Sequence, residues 1–188
     1  MATNVTYNSI DFFNNILNRK MKSYNDALNR IDHYNTITIP YKASLKKPKY
    51  LEPISADKNP EIIGLKKQIK SYRIIIYLLC IKISSYNKNY SIEFNKEDLD
   101  IATGYISKAK KQEEIRLYHA EKRLHKKIEK IKAIKEKKPK KYGDILSKLE
   151  LEKENGNPEM NNCKMKIYHY NEALKVLNEE LKKHKEGN

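Results

Sequence analysis

The chain has 188 residues, with 39 lysines and arginines against 24 acidic residues, giving a formal net charge of +15 at pH 7. Hydrophobic residues make up 39% and charged residues 34%, a composition typical of long helices and coiled coils. Two cysteines exclude a disulfide-rich secreted scaffold, and we interpret both Cys80 and Cys163 as reduced core residues. The start of the chain lacks a signal-peptide pattern, and no apolar run is long enough for a membrane span. We therefore expect a cytoplasmic or otherwise intracellular protein that is not secreted and has no transmembrane segment.

An N-terminal amphipathic helix is predicted within residues 1–35. Asn8 or Ser9 can cap its start, and the pattern continues to about His33. Its apolar residues recur at steps of three and four, which predicts one buried face. They are Ile10, Phe13, Leu17, Met21, Tyr24, Leu28 and Ile31.

Residues 36–60 break this pattern with four prolines, at positions 40, 48, 53 and 60. Proline removes a backbone donor and interrupts a continuous helix. Between Tyr41 and Tyr50 there are four lysines and no acidic residue. Long segments without periodicity are commonly functional or disordered, so we predict an extended, Pro-rich basic arm.

The second predicted helix follows Pro60, a residue suited to a helix start. Its apolar residues repeat in unbroken steps of three and four, as along a helix that packs over its whole length. They are Ile62, Leu65, Ile69, Tyr72, Ile76, Leu79, Ile83, Tyr86 and Tyr90. The fully apolar run Ile74–Ile81 also fits a buried strand, but the repeat on both sides of it favours a helix.

A long basic helix is predicted over residues 96–138, capped by Asn95 and ended before Pro139. Its apolar line is narrow because several members are alanine. The line comprises Leu99, Ala102, Ile106, Ala109, Leu117, Ala120, Leu124, Ile128 and Ile131. A short helix over residues 144–154 and a last helix opened by Asn157 and Pro158 complete a helical bundle over residues 61–188.

The predicted fold class is all-α: an elongated antiparallel bundle of coiled-coil-like helices, with the long basic helix projecting and the Pro-rich arm extended.

The surplus positive charge is concentrated in two segments of the chain. Residues 108–141 carry fifteen basic and five acidic residues, a net +10, and the arm adds +4, which leaves about +1 elsewhere. Most of these lysines lack a glutamate four residues earlier, the spacing that stabilises an isolated helix. A solvated helix face explains such a run, but an external polyanion also relieves the repulsion, and we favour the polyanion.

The leading hypothesis is a non-catalytic binding protein that docks on RNA or a ribonucleoprotein, in the general style of ribosome-associated proteins. Lysine-rich contacts bind phosphates and carry little sequence information. Tyrosines in or beside the basic segments, among them Tyr41, Tyr50, Tyr105, Tyr118 and Tyr142, can stack on unpaired bases. The candidate nucleic-acid-binding residues are Lys42, Lys46, Lys47, Lys49, Lys108, Lys111, Arg116, Lys122, Arg123, Lys126, Lys127, Lys130, Lys137, Lys138, Lys140 and Lys141.

No phosphate-binding glycine loop, metal-ligand spacing or nucleophile motif occurs in the sequence, so we predict no enzyme activity, no metal and no cofactor.

Two other functions remain open. The helical seams could make contacts between chains, as in a structural or scaffold protein of a capsid, cytoskeletal or coiled-coil assembly. A basic amphipathic surface could also lie on an anionic membrane, although the basic helix has few large apolar side chains to insert. The choice among RNA, DNA and an acidic protein is also open, as is the oligomeric state.

Overall fold

The structure, a computed structural model, describes residues 2–45, 52–83, 94–135 and 139–186, with only the backbone for residues 2–7, 135 and 139–141. Within these ranges 94% of the residues are helical and none is in a strand, which confirms the all-α class. The α-helices are α1 (Ala2–His33), α2 (Ile39–Ser44), α3 (Pro60–Ile83), α4 (Lys96–Lys135), α5 (Pro139–Asn155) and α6 (Pro158–Glu186).

Asparagine caps begin three of these helices. The Asn59 side-chain oxygen accepts a hydrogen bond from the N–H of Glu61, the second residue of α3, at 2.9 Å. Asn95 accepts in the same way from Glu97, the second residue of α4, at 3.0 Å, and Asn157 accepts from Met160, the third residue of α6, at 2.9 Å. Between α5 and α6, Gly156 has φ +77°, a left-handed conformation that glycine adopts at helix ends without steric cost. The starts predicted at Pro60, Asn95 and Asn157 are therefore confirmed.

The predicted extended arm is wrong for residues 36–44, which are helical. One turn of π-helix, Tyr34–Thr38, joins α1 to α2, and the N–H of Ile39 donates to the carbonyl of Tyr34. Pro40 then lies in the first turn of α2, where the absence of its N–H is tolerated. Pro40 is therefore not the helix breaker that its residue type predicts, because a change of hydrogen-bond register just before it lets the chain stay helical.

The residues before α3 are held to the π-helix by one side chain. Asn35 Nδ2 donates to the carbonyl of Ile54 at 2.9 Å, and the N–H of Ile54 donates to Asn35 Oδ1 at 2.9 Å. A 3₁₀ turn, Ala56–Lys58, follows, and Asp57 pairs with Lys66 of α3 at 2.9 Å. Ile54 and Asp57 therefore tie this segment to the π-helix and to α3, while residues 46–51 lie outside the described part of the chain.

The first compact unit comprises residues 1–105 with 175–188. In it α1 and α3 pack antiparallel, because Arg30 near the end of α1 pairs with Glu61 at the start of α3 at 2.7 Å. Closer to the other ends, the ring of Phe13 stacks on that of Tyr72, with 6.2 Å between centroids. The predicted seam of α3 is buried at Ile62, Leu65, Tyr72 and Leu79.

The run Ile74–Ile81 is helical, so the alternative of a buried strand is wrong. Its middle is buried on more than one side, since Ile74, Ile75 and Leu78 are at most 6% exposed. Cys80 is exposed, which corrects its prediction as a core residue. The predicted seam residues Tyr86 and Tyr90 lie outside the described residues.

The second compact unit comprises residues 106–174, from the later part of α4, all of α5 and the first half of α6. Here α4 and α6 run antiparallel: Arg123 pairs with Glu159 at 2.6 Å and Glu113 with Lys166 at 3.5 Å. All three helices contribute to one apolar core. Its buried members are Ala120, Leu124, Ile128, Leu146, Leu149 and Met160.

The observed helix bounds differ from the predicted ones mainly at the starts. Helix α1 begins earlier, at Ala2, and α5 begins at Pro139 rather than near Asp144. Helix α4 ends at Lys135, and the rest of the predicted basic helix, residues 136–138, lies outside the described residues. The division into segments 1–35, 36–60 and 61–188 stays a prediction.

Candidate nucleic-acid interface

One side of α4 is apolar and the opposite side is basic. The buried line runs through Ile106, Ala120, Leu124 and Ile128, none more than 6% exposed. Successive helical residues turn by about 100°. On that geometry four exposed candidates lie roughly 140–200° around the helix from the buried line. They are Lys108, Lys111, Lys122 and Lys126.

Two further exposed candidates lie off this row: Lys130 is about 40° from its edge, and Lys127 lies only about 60° from the buried line. From Lys108 to Lys130 the six lysines span roughly 33 Å, at about 1.5 Å per residue. We call Lys108, Lys111, Lys122, Lys126, Lys127 and Lys130 the basic face of α4. Ile115 and Tyr118, which are 48% and 57% exposed, interrupt it with apolar surface.

The two arginine candidates pair with carboxylates of the same unit. Arg116 contacts Glu113 at 2.9 Å and Arg123 contacts Glu159 at 2.6 Å. An external anion at either arginine would therefore compete with a carboxylate already in place. By contrast, no residue of the basic face forms an ion pair within 4 Å with any carboxylate in the described part of the chain.

The remaining candidates are less well placed by the structure. Lys42 is exposed on the short helix α2 of the first unit. Lys140 and Lys141 belong to the first turn of α5, where only the backbone is described. The other five lie outside the described residues: Lys46, Lys47, Lys49, Lys137 and Lys138.

A glutamate that was not among the residues predicted from the sequence occupies the core side of α4. Glu113 falls between Ala109 and Leu117 on the apolar line and is only 7% exposed. Its Oε1 pairs with Arg116 and Lys166, whereas its Oε2 is buried without a hydrogen-bond partner. Burial raises the pKa of the Cys163 thiol, and the neighbouring Glu113 carboxylate raises it further. The sequence contains the pattern that places Glu113 in the core, because steps of four from Ala109 lead to Glu113 and then to Leu117.

A cavity of about 510 Å³ opens beside the basic face, between α4, α5 and α6. Leu124 and Met160, both nearly buried, belong to its apolar part. Tyr118 lines it as well, with the Lys122 Nζ 5.6 Å from the centre of its ring. The other lining residues are Glu121, His125, Lys153 and Lys164. Sequence analysis proposed Tyr118 and Lys122 but could not place Lys153 and Lys164 beside them, because those lysines come from different helices.

The described residues contain no cluster of three or more His, Cys, Asp or Glu side chains that could hold a metal ion. A search of the same residues finds no helix with enough continuous apolar length to cross a membrane.

Fold and surface together define a helical protein with a basic face on one long helix. Comparison of the chain with protein-family models, with curated proteins and with solved structures finds no match in any of the three.

Proposed function

We propose that this protein is a non-catalytic binding protein that docks on RNA or a ribonucleoprotein surface through α4, with the segment around Lys42 as a second basic contact. The same proposal includes an intracellular location. It also includes an elongated antiparallel bundle that presents residues 108–141 to the partner. The basic face is the observation that supports docking on RNA: its six exposed lysines on one helix have no carboxylate partner within the described residues.

The neighbouring lysines of α4 repel one another, and bound phosphates would relieve this repulsion. Lys122, Lys126 and Lys130 follow one another at the four-residue spacing that places like charges side by side on a helix, an arrangement that is destabilising by a few tenths of a kcal/mol per pair. The core side of α4 is already occupied by apolar packing. Phosphates along the outer side would neutralise these charges and release condensed counterions, which favours association.

Lysine contacts of this kind bind the backbone of a nucleic acid more than its bases. We therefore expect recognition of shape or of single-stranded segments rather than of a defined sequence. The exposed lysines and the spacing of the face support RNA as an extended partner.

The test is the salt dependence of RNA binding, measured by fluorescence anisotropy with the full chain. Six phosphate contacts on a single strand, one for each lysine of the basic face, predict a slope of log K against log salt near −4.2, roughly a 300-fold loss of affinity between 50 and 200 mM salt. The double variant Lys122→Gln/Lys126→Gln should reduce this slope by about 1.4.

The matched control is Lys22→Gln/Lys67→Gln, which removes the same charge from exposed positions on α1 and α3. It should leave the slope within about 0.3 of the unmodified protein. Affinity that is insensitive to salt, or equal losses in both double variants, would contradict the proposal.

A structural role in a protein assembly is the second candidate, and a specific stripe favours it. Ile37, Tyr41 and Leu45 follow each other at steps of four and are 56%, 64% and 52% exposed. Contiguous exposed apolar surface of this kind often marks a protein contact. Sedimentation of the protein without nucleic acid separates the two functions: a monomer favours RNA binding, and an oligomer that grows with concentration and is lost on Tyr41→Ser favours assembly.

A further inference from the structure

We infer that the cavity between α4, α5 and α6 holds one unpaired nucleotide of a single-stranded RNA, with the base on Tyr118 and its phosphates at the surrounding lysines. This inference rests on the proposed RNA-binding function and specifies where a base, rather than the backbone, is contacted. The cavity lies entirely within the second unit, at the edge of the basic face.

Its size and lining suit such a ligand. A volume of about 510 Å³ falls within the range of pockets that bind small organic molecules. Leu124 and Met160 are 6% and 4% exposed, and they supply an apolar surface for the flat faces of a base. Tyr118 is 57% exposed, so its ring is open to a stacking partner.

The charges of the lining favour an anion. The lining contains three lysines, Lys122, Lys153 and Lys164, and one acidic residue, Glu121. With the histidine neutral, its formal charge is +2. The Lys122 ammonium lies over one face of the Tyr118 ring, 5.6 Å from its centre, so a base would stack on the opposite face. A base stacked on this ring would thus have its phosphate within reach of a lysine without any change in the helices.

The alternative occupant, an acidic peptide, explains the lysines but not the exposed aromatic ring over an apolar floor. Stacking on an aromatic ring tolerates any base and contributes about 1–3 kcal/mol per base. The combination of ring, apolar floor and cations is therefore better matched by a nucleotide than by a run of carboxylates. A paired RNA, whose bases are stacked inside the duplex, cannot use it.

The experiment compares Tyr118→Ala with Tyr168→Ala, a control on α6 whose side chain is 42% exposed and lies outside the lining. Both variants are titrated with a short oligouridine strand and with an RNA duplex carrying the same number of phosphates. Tyr118→Ala should weaken binding of the strand by roughly 5- to 150-fold, the range that follows from losing one stacked base. Its affinity for the duplex should stay within twofold, and Tyr168→Ala should change neither.

A strand containing photoactivatable 4-thiouridine provides an independent measurement. Cross-linking followed by peptide mass spectrometry should place the modified residue at Tyr118 or Met160. If Tyr118→Ala lowers affinity for strand and duplex alike, or for neither, the nucleotide site is wrong while the proposed function stands. Loss of binding to poly-glutamate alone would identify the cavity as a peptide site. If the unmodified protein binds neither RNA at low salt, the proposed function fails and this inference fails with it.

Discussion

Replacing Glu113 by leucine should stabilise the protein, although it removes two ion pairs. The carboxylate lies on the core side of α4 at 7% exposure, and its Oε2 has no hydrogen-bond partner, although the neighbouring Cys163 thiol is a weak donor to the carboxylate. A buried polar atom left in that state costs about 1–3 kcal/mol. Its ion-pair partners keep contact with water, because the side chains of Arg116 and Lys166 are 65% and 27% exposed. Such pairs contribute about 0–1 kcal/mol each, and both cations can turn to solvent when the carboxylate is removed.

A leucine at position 113 would continue the line between Ala109 and Leu117, and burying its side chain contributes about 1.5–3 kcal/mol. The two lost ion pairs and the incomplete solvation of Lys166 reduce this stabilisation. We therefore expect Glu113→Leu to raise the free energy of unfolding by about 1–3 kcal/mol, because Arg116 and Lys166 can both reach water and no unpaired charge is left buried.

Urea denaturation followed by circular dichroism measures this change, and the melting temperature should rise by roughly 2–4 °C for each kcal/mol. The control is Glu114→Leu on the adjacent position, where the side chain is 48% exposed; it should change stability by no more than about 0.5 kcal/mol. A Glu113→Leu protein that is less stable than the parent by 1 kcal/mol or more would show that the buried carboxylate stabilises the unit, and would refute the reasoning.

Further predictions concern Asn35, two glycines and the two cysteines. Asn35→Ala should lower stability by about 1–3 kcal/mol in urea denaturation, because it removes two hydrogen bonds to the segment before α3; an unchanged midpoint would contradict that role. Gly156→Ala should destabilise, since φ is +77° and a Cβ would clash with the side-chain oxygen of Asn161. Gly104→Ala on α4, where a Cβ would meet no atom within 4 Å, should stabilise by about 0.5–1 kcal/mol. A thiol reagent should modify Cys80 quickly and Cys163, which is 4% exposed, only after unfolding; equal rates in the native protein would argue against the buried position.

Much of the helical organisation follows from local signals in the sequence. Asn59, Asn95 and Asn157 each precede a helix and accept a backbone hydrogen bond there, as their residue type predicts. Apolar steps of three and four identified the buried side of α3, because spacing alone decides which side chains share a helix face. These features depend on residues near in sequence, so a single chain is enough to find them.

Features set by distant residues or by backbone register were not predictable in the same way. The π-helical turn before Pro40 depends on a shift of hydrogen bonds, and the clamp from Asn35 to Ile54 joins residues 19 positions apart. At the candidate interface, the sequence indicated the lysines of α4 but not that Arg123 pairs with Glu159, 36 positions away. The cavity also depends on how α5 and α6 meet α4, which no periodicity within one helix determines.

The central claim is that the basic face of α4 contacts a polyanion, and lysine footprinting tests it most directly. The full chain would be acetylated briefly with and without RNA, and the modified lysines quantified by mass spectrometry. RNA should protect the members of the basic face, which are Lys108, Lys111, Lys122, Lys126, Lys127 and Lys130, while Lys22 and Lys67 react as before. Equal reactivity of the basic face with and without bound RNA would contradict the claim, as would protection confined to α1 and α3.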